Sequence, residues 1–339
     1  MKRFKDSLFL LGSAALIMAS CAKSSTSTSL VGNWIKRSEL DGVARTEAVA
    51  FTIGNLAYIS TGYDGTNRLV DTWAYDATSN SWSQKADFAG TGRNSAVAFS
   101  IGDSVAYVTT GYDGYNNLKD TWKYSAATNS WVSKAAFAGT GRYDAIAFSI
   151  SNYGYVASGF DGNYTKDFWQ YNPASDTWTQ KPSWGGSKRS QAVAFVYNNK
   201  AYVCTGVNNG QTVNDFWSFD PSVTSGSPWT QLRDIANTSS DTYDDDYTDI
   251  VRMNAIAFVM GNKAYITTGE NGGYISKTWE YDFASDLWAR KTDYERSARS
   301  GAVAFSVQGR GFVGSGKNST YVYDDFDEFK PNDPYNAND

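Results

Sequence analysis

The 339-residue sequence contains no histidine. That absence removes histidine-based triads, histidine-containing zinc sites and imidazole general bases together. Cysteine is almost as scarce, for beyond Cys21 near the N-terminus only Cys204 remains. A single thiol makes no internal disulfide, and with no base to activate it Cys204 reads as a small core residue. The net charge is −5 and no basic stripe exists, which speaks against a nucleic-acid partner. Long apolar runs are missing too. Leu8–Ile17 is too short to cross a bilayer as a permanent helix.

That short run has a different meaning. Lys2, Arg3 and Lys5 precede it and Met18-Ala19-Ser20-Cys21 follows, the layout of an export signal over residues 1–21. Its end resembles the bacterial lipoprotein processing box, which implies lipidation of Cys21, a membrane contact through the lipid alone, and a periplasmic or outer-membrane location in the cell envelope. Plain secretion with cleavage near Ala19 is the alternative. Residues 22–29 are a Ser/Thr-rich tether, 30–331 the folded body and 332–339 a polar tail.

The body is 41% hydrophobic and 16% aromatic over the whole chain, ample for a packed core, and its residues recur. An arginine followed three residues later by Ala-(Val/Ile)-Ala-Phe appears at Arg45, Arg93, Arg142, Arg189, Arg252 and Arg299. From Trp82 to Arg93, Trp131 to Arg142, Trp178 to Arg189 and Trp288 to Arg299 the step is eleven residues, and it is eleven again from Trp34 to Arg45. Each unit carries four short aromatic and β-branched runs between Gly, Asn and Asp. Such a unit predicts one propeller blade. Trp34 therefore ends a blade whose first three strands lie at the other end of the chain, so an all-β ring of six blades closes through its N-terminal strand.

The unit Arg…Ala-x-Ala-Phe…Ala-Tyr-Val-x-(Thr/Ser)-Gly…Asp-x-Trp-x-Tyr…(Ser/Thr)-Trp resembles the kelch repeat over nearly all of residues 30–331. It departs in one place. The double glycine of that repeat is here Thr-Gly or Ser-Gly, from Thr61-Gly62 to Ser315-Gly316. The resemblance implies four-stranded blades and a central channel at whose mouth the six arginines form a ring. It also brings the label galactose oxidase-like, which describes fold alone because the copper site of such enzymes needs imidazoles. Trp73, Trp122, Trp169, Trp217 and Trp279 on the third strands, and Trp34, Trp82, Trp131, Trp178, Trp229 and Trp288 on the fourth, read as packing.

Function is expected where blades differ. If Arg45, Arg93, Arg142, Arg189, Arg252 and Arg299 stay unpaired, they gather an anionic or polyhydroxylated ligand; if each meets Asp71, Asp120, Asp167, Asp215 or Asp325, they pin strands. In blade five Lys277 replaces the acid. The residue after each Thr/Ser-Gly reads Tyr63, Tyr112, Phe160, Val207, Glu270, Lys317, an asymmetric rim of aromatics followed by an acid and a lysine. A longer step from Trp229 to Arg252 holds an acidic insertion, Asp241 to Asp249, which reads as a mobile loop over the ring, with Asp244, Asp245 and Asp246 a candidate calcium site. Gly309-Arg310-Gly311-Phe312-Val313-Gly314 matches a dinucleotide pattern by letter but falls on a strand with no helix after it. The expected protein is a monomeric module without a cofactor, binding a carbohydrate or protein ligand on the arginine face. The alternatives are a metal-independent sugar mutarotase or epimerase using Glu270 near Arg252 and Arg299, and a structural envelope protein.

Overall fold

The structure, a computed structural model, describes residues 30–339. The expected signal, Cys21 and tether lie outside the described residues. Six four-stranded antiparallel sheets follow one another around an axis. Blade one runs through Val49–Ile53, Leu56–Ser60, Thr72–Asp76 and Ser81–Lys85, and blades two to five repeat it, with first strands Val97–Ile101, Ile146–Ile150, Val193–Tyr197 and Ile256–Met260. Blade six takes Val303–Val307, Arg310–Gly314 and Phe326–Pro334 from the C-terminal end and Val31–Arg37 from the N-terminal end. Trp34 stands opposite Phe329 in that last pairing, their rings stacked 4.5 Å apart. The ring is closed as expected, and its last C-terminal strand runs on to Pro334.

The two-residue period of the first strand decides where the core sits. Val49, Phe51 and Ile53 point into the seam with blade two, where Ala106, Val108, Tyr124 and Trp131 meet them. The alternate residues Ala48, Ala50 and Thr52 face the axis instead. The same division repeats at every seam, so each hydrophobic cluster joins two blades rather than filling one. No blade can bury its faces alone. Polar ties reinforce the seams: Asn80 accepts from Tyr75 Oη of its own blade at 2.7 Å and from the Ser38 amide of blade six at 3.0 Å.

At the end of each second strand the Thr-Gly pair turns the chain on the channel face. Gly111 sits at φ +101°, where an added Cβ would lie 2.9 Å from that of Ala96, so only glycine fits. The residue before it is less well suited. Thr110 is held at φ +64° with its hydroxyl buried and unpartnered. A left-handed β-branched residue costs about 1–2 kcal/mol, and the freedom glycine loses on folding is worth about 0.5–1 kcal/mol. Thr110→Gly is therefore expected to raise unfolding free energy by about 1 kcal/mol once the hydroxyl's lost hydration is included. Thr205→Gly is expected to gain nothing, because Thr205 Oγ1 accepts from the Val193 amide at 3.2 Å. Urea unfolding of the two variants separates the cases; a destabilised Thr110→Gly would refute the account.

The acidic insertion differs from expectation. Tyr247 and Ile250 are buried against Trp279 and Trp288, and a 3-10 turn at Thr242–Asp244 folds the segment back on itself. It packs because its tyrosines and isoleucine cover tryptophans that the longer connection would otherwise leave open.

Candidate functional site

Two residues after each arginine, the chain reaches the channel mouth at Glu47, Ser95, Asp144, Gln191, Asn254 and Gly301. All six take positive φ, between 52° and 62°. That conformation aims each amide at the carbonyl of the blade before it. The six bonds run head to tail, from Glu47 N to Gly301 O at 2.8 Å through to Gly301 N to Asn254 O at 3.3 Å. They form a closed hoop of backbone hydrogen bonds. Below it, Ala48, Ala96, Ala145, Ala192, Ala255 and Ala302 begin an alanine-lined channel, with cavities of about 150 Å³ at the mouth and 200 Å³ beneath.

The side chains on the hoop are unlike one another. Glu47 accepts from Lys317 Nζ at 2.8 Å, Asn94 Nδ2 at 2.6 Å and Ser95 Oγ at 3.0 Å. Asp144 has only neutral donors, Gln191 Nε2 at 3.0 Å among them. Burial and then the nearby Glu47 carboxylate push Asp144 up to about 7, against the pull of hydrogen bonds from Ser95 and Gln191. Two carboxyl groups in one mouth thus stand in different settings, Glu47 on a lysine and Asp144 on neutral donors.

An aromatic arc rises outside this rim. Tyr112 packs on Tyr143, and Tyr143 on Phe160, each pair with centroids 5.6 Å apart. Arg68 lies over the rings of both Tyr63 and Tyr112, at 5.1 and 5.0 Å, and its Nε donates to Asn94 Oδ1 at 2.8 Å. Among the described residues no carboxylate comes within salt-bridge distance of it, and its two Nη groups have no protein acceptor. Every other described arginine has a carboxylate within 4.0 Å or donates through Nη to main-chain carbonyls. A guanidinium held flat by two rings with its fork open is prepared for two oxygens of a ligand.

A model of the kelch motif matches residues 44–88 and 154–183. The chain is a six-bladed β-propeller that carries kelch motifs. A solved structure titled "Structure of YjhT" is similar to this propeller, with 16% identity and a TM-score of 0.69 over 85% of this chain and 95% of that one. At that identity the likeness is one of fold. No curated protein matches the chain.

In this propeller the six arginines do not line the channel. Arg45, Arg93, Arg142, Arg189, Arg252 and Arg299 are 0–1% exposed. Arg45 shows why: its Nη groups grip Asp71 at 2.8 and 2.6 Å, Nη1 also donates to Thr61 O at 3.0 Å, and Asp71 accepts from Trp73 Nε1 at 2.6 Å. Each side chain points back into its own blade and ties the second strand to the third, leaving nothing for a ligand. In blade five the insertion supplies the missing acid. Asp249 accepts from Trp279 Nε1 at 2.7 Å and lies 3.9 Å from Arg252 and 3.8 Å from Lys277.

The rim residues are brought together in part. Tyr63, Tyr112, Phe160 and Lys317 reach the mouth as described, while Val207 is buried in a two-stranded hairpin. Glu270 accepts from Asn254 at 3.2 Å and bonds neither Arg252 nor Arg299. The acids of the insertion are not gathered: Asp244 is buried, capping the amides of Thr238 and Ser239 at 3.0 and 2.9 Å. Among the described residues no group of three or more potential metal ligands forms. Glu47, Arg68 and Asp144 were missed in the sequence. The signal for two of them was present, since the position two past each arginine differs in every blade, whereas the arginine itself never does.

Proposed function

We propose that this propeller is an exported, lipid-anchored binding module that takes a carbohydrate bearing an anionic group at its channel mouth. The leader and Cys21 support export and anchoring. The ligand class rests on one observation, the open fork of Arg68 stacked between Tyr63 and Tyr112 beside a mouth of unlike polar side chains. Aromatic faces suit sugar rings, and the hoop residues offer both donors and acceptors to hydroxyls. Two-point contact from a guanidinium suits a carboxylate or sulfate.

The test is titration calorimetry of residues 30–339 with glucuronate, glucose and acetate, repeated with Arg68→Met. Glucuronate is expected to bind and to weaken by about tenfold in the variant, the loss of one charge-assisted contact. Equal binding of glucuronate by both proteins removes Arg68 from the site. No binding of any saccharide turns the reading toward a protein ligand.

A second reading, in which the mouth interconverts sugar anomers, is favoured by the unequal carboxyl pair. In that reading Glu47 takes the proton of an anomeric hydroxyl while Asp144, raised to about 7, gives one to the ring oxygen. The same samples answer it: NMR exchange between glucuronate anomers no faster than in buffer excludes the reaction.

A further inference from the structure

The five tryptophans of the third strands, Trp73, Trp122, Trp169, Trp217 and Trp279, each stand two residues after the start of the Asp-x-Trp run, or its Lys277 counterpart. In blade six that place is taken by Asp327. A second exchange accompanies it. Eight residues past four of the six fourth-strand tryptophans the connecting loops carry Gly42, Gly90, Gly139 and Gly186, and a Cβ on Gly90 or Gly186 would lie 2.6 or 2.5 Å from the indole Nε1 of Trp122 or Trp217. At the seam of blades five and six that glycine is Arg296. Its Nε bonds Asp327 at 3.2 and 3.0 Å. An indole lying on a glycine has been replaced by an ion pair.

The exchange leaves space. A cavity of about 630 Å³ opens there, lined by Trp34 and Thr292, by Glu295, Arg296 and Asp327, and by Tyr335 and Asp339 of the tail. It exceeds the cavities of the channel, and its size is that of a small-molecule site. The tail forms one wall and is held in place, with the Asn336 amide donating to Asn33 Oδ1 at 2.9 Å and Asn33 Nδ2 to Asp339. The charges inside are unbalanced in one sense. Arg296 is taken by Asp327, and Asp293 by Arg290. Glu295 and Asp339 have no cation within salt-bridge distance among the described residues, and neither does Lys36 an acid, so two carboxylates face one lysine. Glu295 accepts from the Trp34 amide at 3.3 Å and Asp339 from Asn336 Nδ2; partial desolvation, with the carboxylates of Asp327 and Asp339, raises Glu295 against the pull of that amide and of Lys36.

We infer that this cleft, where the two ends of the chain meet, is a second binding site, built for an aromatic ring carrying an ammonium group. The ring takes the volume that the missing tryptophan leaves beside Tyr335, and the ammonium lies between Glu295 and Asp339. The site is independent of the channel mouth, and no mouth residue takes part.

The experiment uses tyramine as probe, with phenol as its neutral counterpart, titrated into residues 30–339 by calorimetry. Tyramine is expected to bind more tightly than phenol by about tenfold, with Glu295→Gln removing most of that difference. The double variant Arg296→Gly with Asp327→Trp restores the pair that the other blades use, so it is expected to fold and to lose tyramine altogether. Tyramine binding that survives the double variant, or that equals phenol in the wild type, overturns the assignment. So does the absence of tyramine binding at millimolar concentration. Because Glu295→Gln keeps the backbone and the cavity, it decides the matter even if the double variant misfolds. Glucuronate titrated into the same variants is expected to be unaffected, which keeps a failure here distinct from a failure at the mouth.

Discussion

Methionine at Arg45 is expected to lower the free energy of unfolding by about 3–5 kcal/mol, the range for breaking a buried ion pair by removing one partner. The arginine is fully buried, while Asp71 keeps 20% of its side chain exposed, so the lower half of that range is the better expectation. The loss has two sources. Asp71 keeps its bond from Trp73 but loses both guanidinium contacts, and the carbonyls of Thr61 and Val43 lose their donor. Urea denaturation at pH 7 measures the single variant. Adding Asp71→Leu to Arg45→Met is expected to recover most of the loss, since removing both charges strands neither. A double variant as unstable as the single one would show that packing volume, rather than a stranded carboxylate, carries the cost. Ligand binding at the mouth is expected to survive Arg45→Met, because the side chain never reaches the channel.

Removing residues 30–37, so that the body begins at Ser38, is expected to abolish the cooperative fold. Trp34 alone stacks on Phe329, packs edge-on against Tyr294 and is 1% exposed, a burial whose loss typically costs about 3–5 kcal/mol. The truncation also strips the ladder partner from Phe326–Pro334 and exposes Phe329 and Phe258 of the same cluster. Against a total stability of about 5–15 kcal/mol the sum leaves little or nothing. Size-exclusion chromatography and near-ultraviolet circular dichroism are expected to show aggregated or molten protein, with a peptide of residues 30–37 restoring the native spectrum in trans. A monomer that melts at the parent temperature would mean that blade six stands on three strands.

The blades were legible because their residues are dictated by packing. The Ala-x-Ala-Phe strand and the fourth-strand tryptophan recur wherever a seam must be filled, and even the closure of the last blade by the Trp34 strand followed from an eleven-residue step. The site was less legible for the opposite reason. Arginine repeated in every blade draws the eye to the channel, yet its constancy comes from Asp71 and its counterparts, which hold it inside. Neither the turn that brings position 47 rather than 45 to the axis nor the stacking of Arg68 between loops of different blades has a local signal. Both depend on where neighbouring blades place their backbones. The insertion was misjudged because charge is easy to see in Asp244, Asp245 and Asp246, whereas the burial of Tyr247 and Ile250 needs Trp279 and Trp288 nearby.

The backbone hoop constrains which ligands such a protein can evolve to hold. Its six positions all lie in the left-handed region, where valine, isoleucine and threonine are strongly disfavoured and glycine, asparagine and other unbranched residues are tolerated. A greasy collar is thereby discouraged before any ligand is considered. Exchanges among the tolerated residues alter what faces the axis while every interblade amide contact persists, so new specificities can arise by single substitutions at an entrance kept hydrophilic by its own geometry.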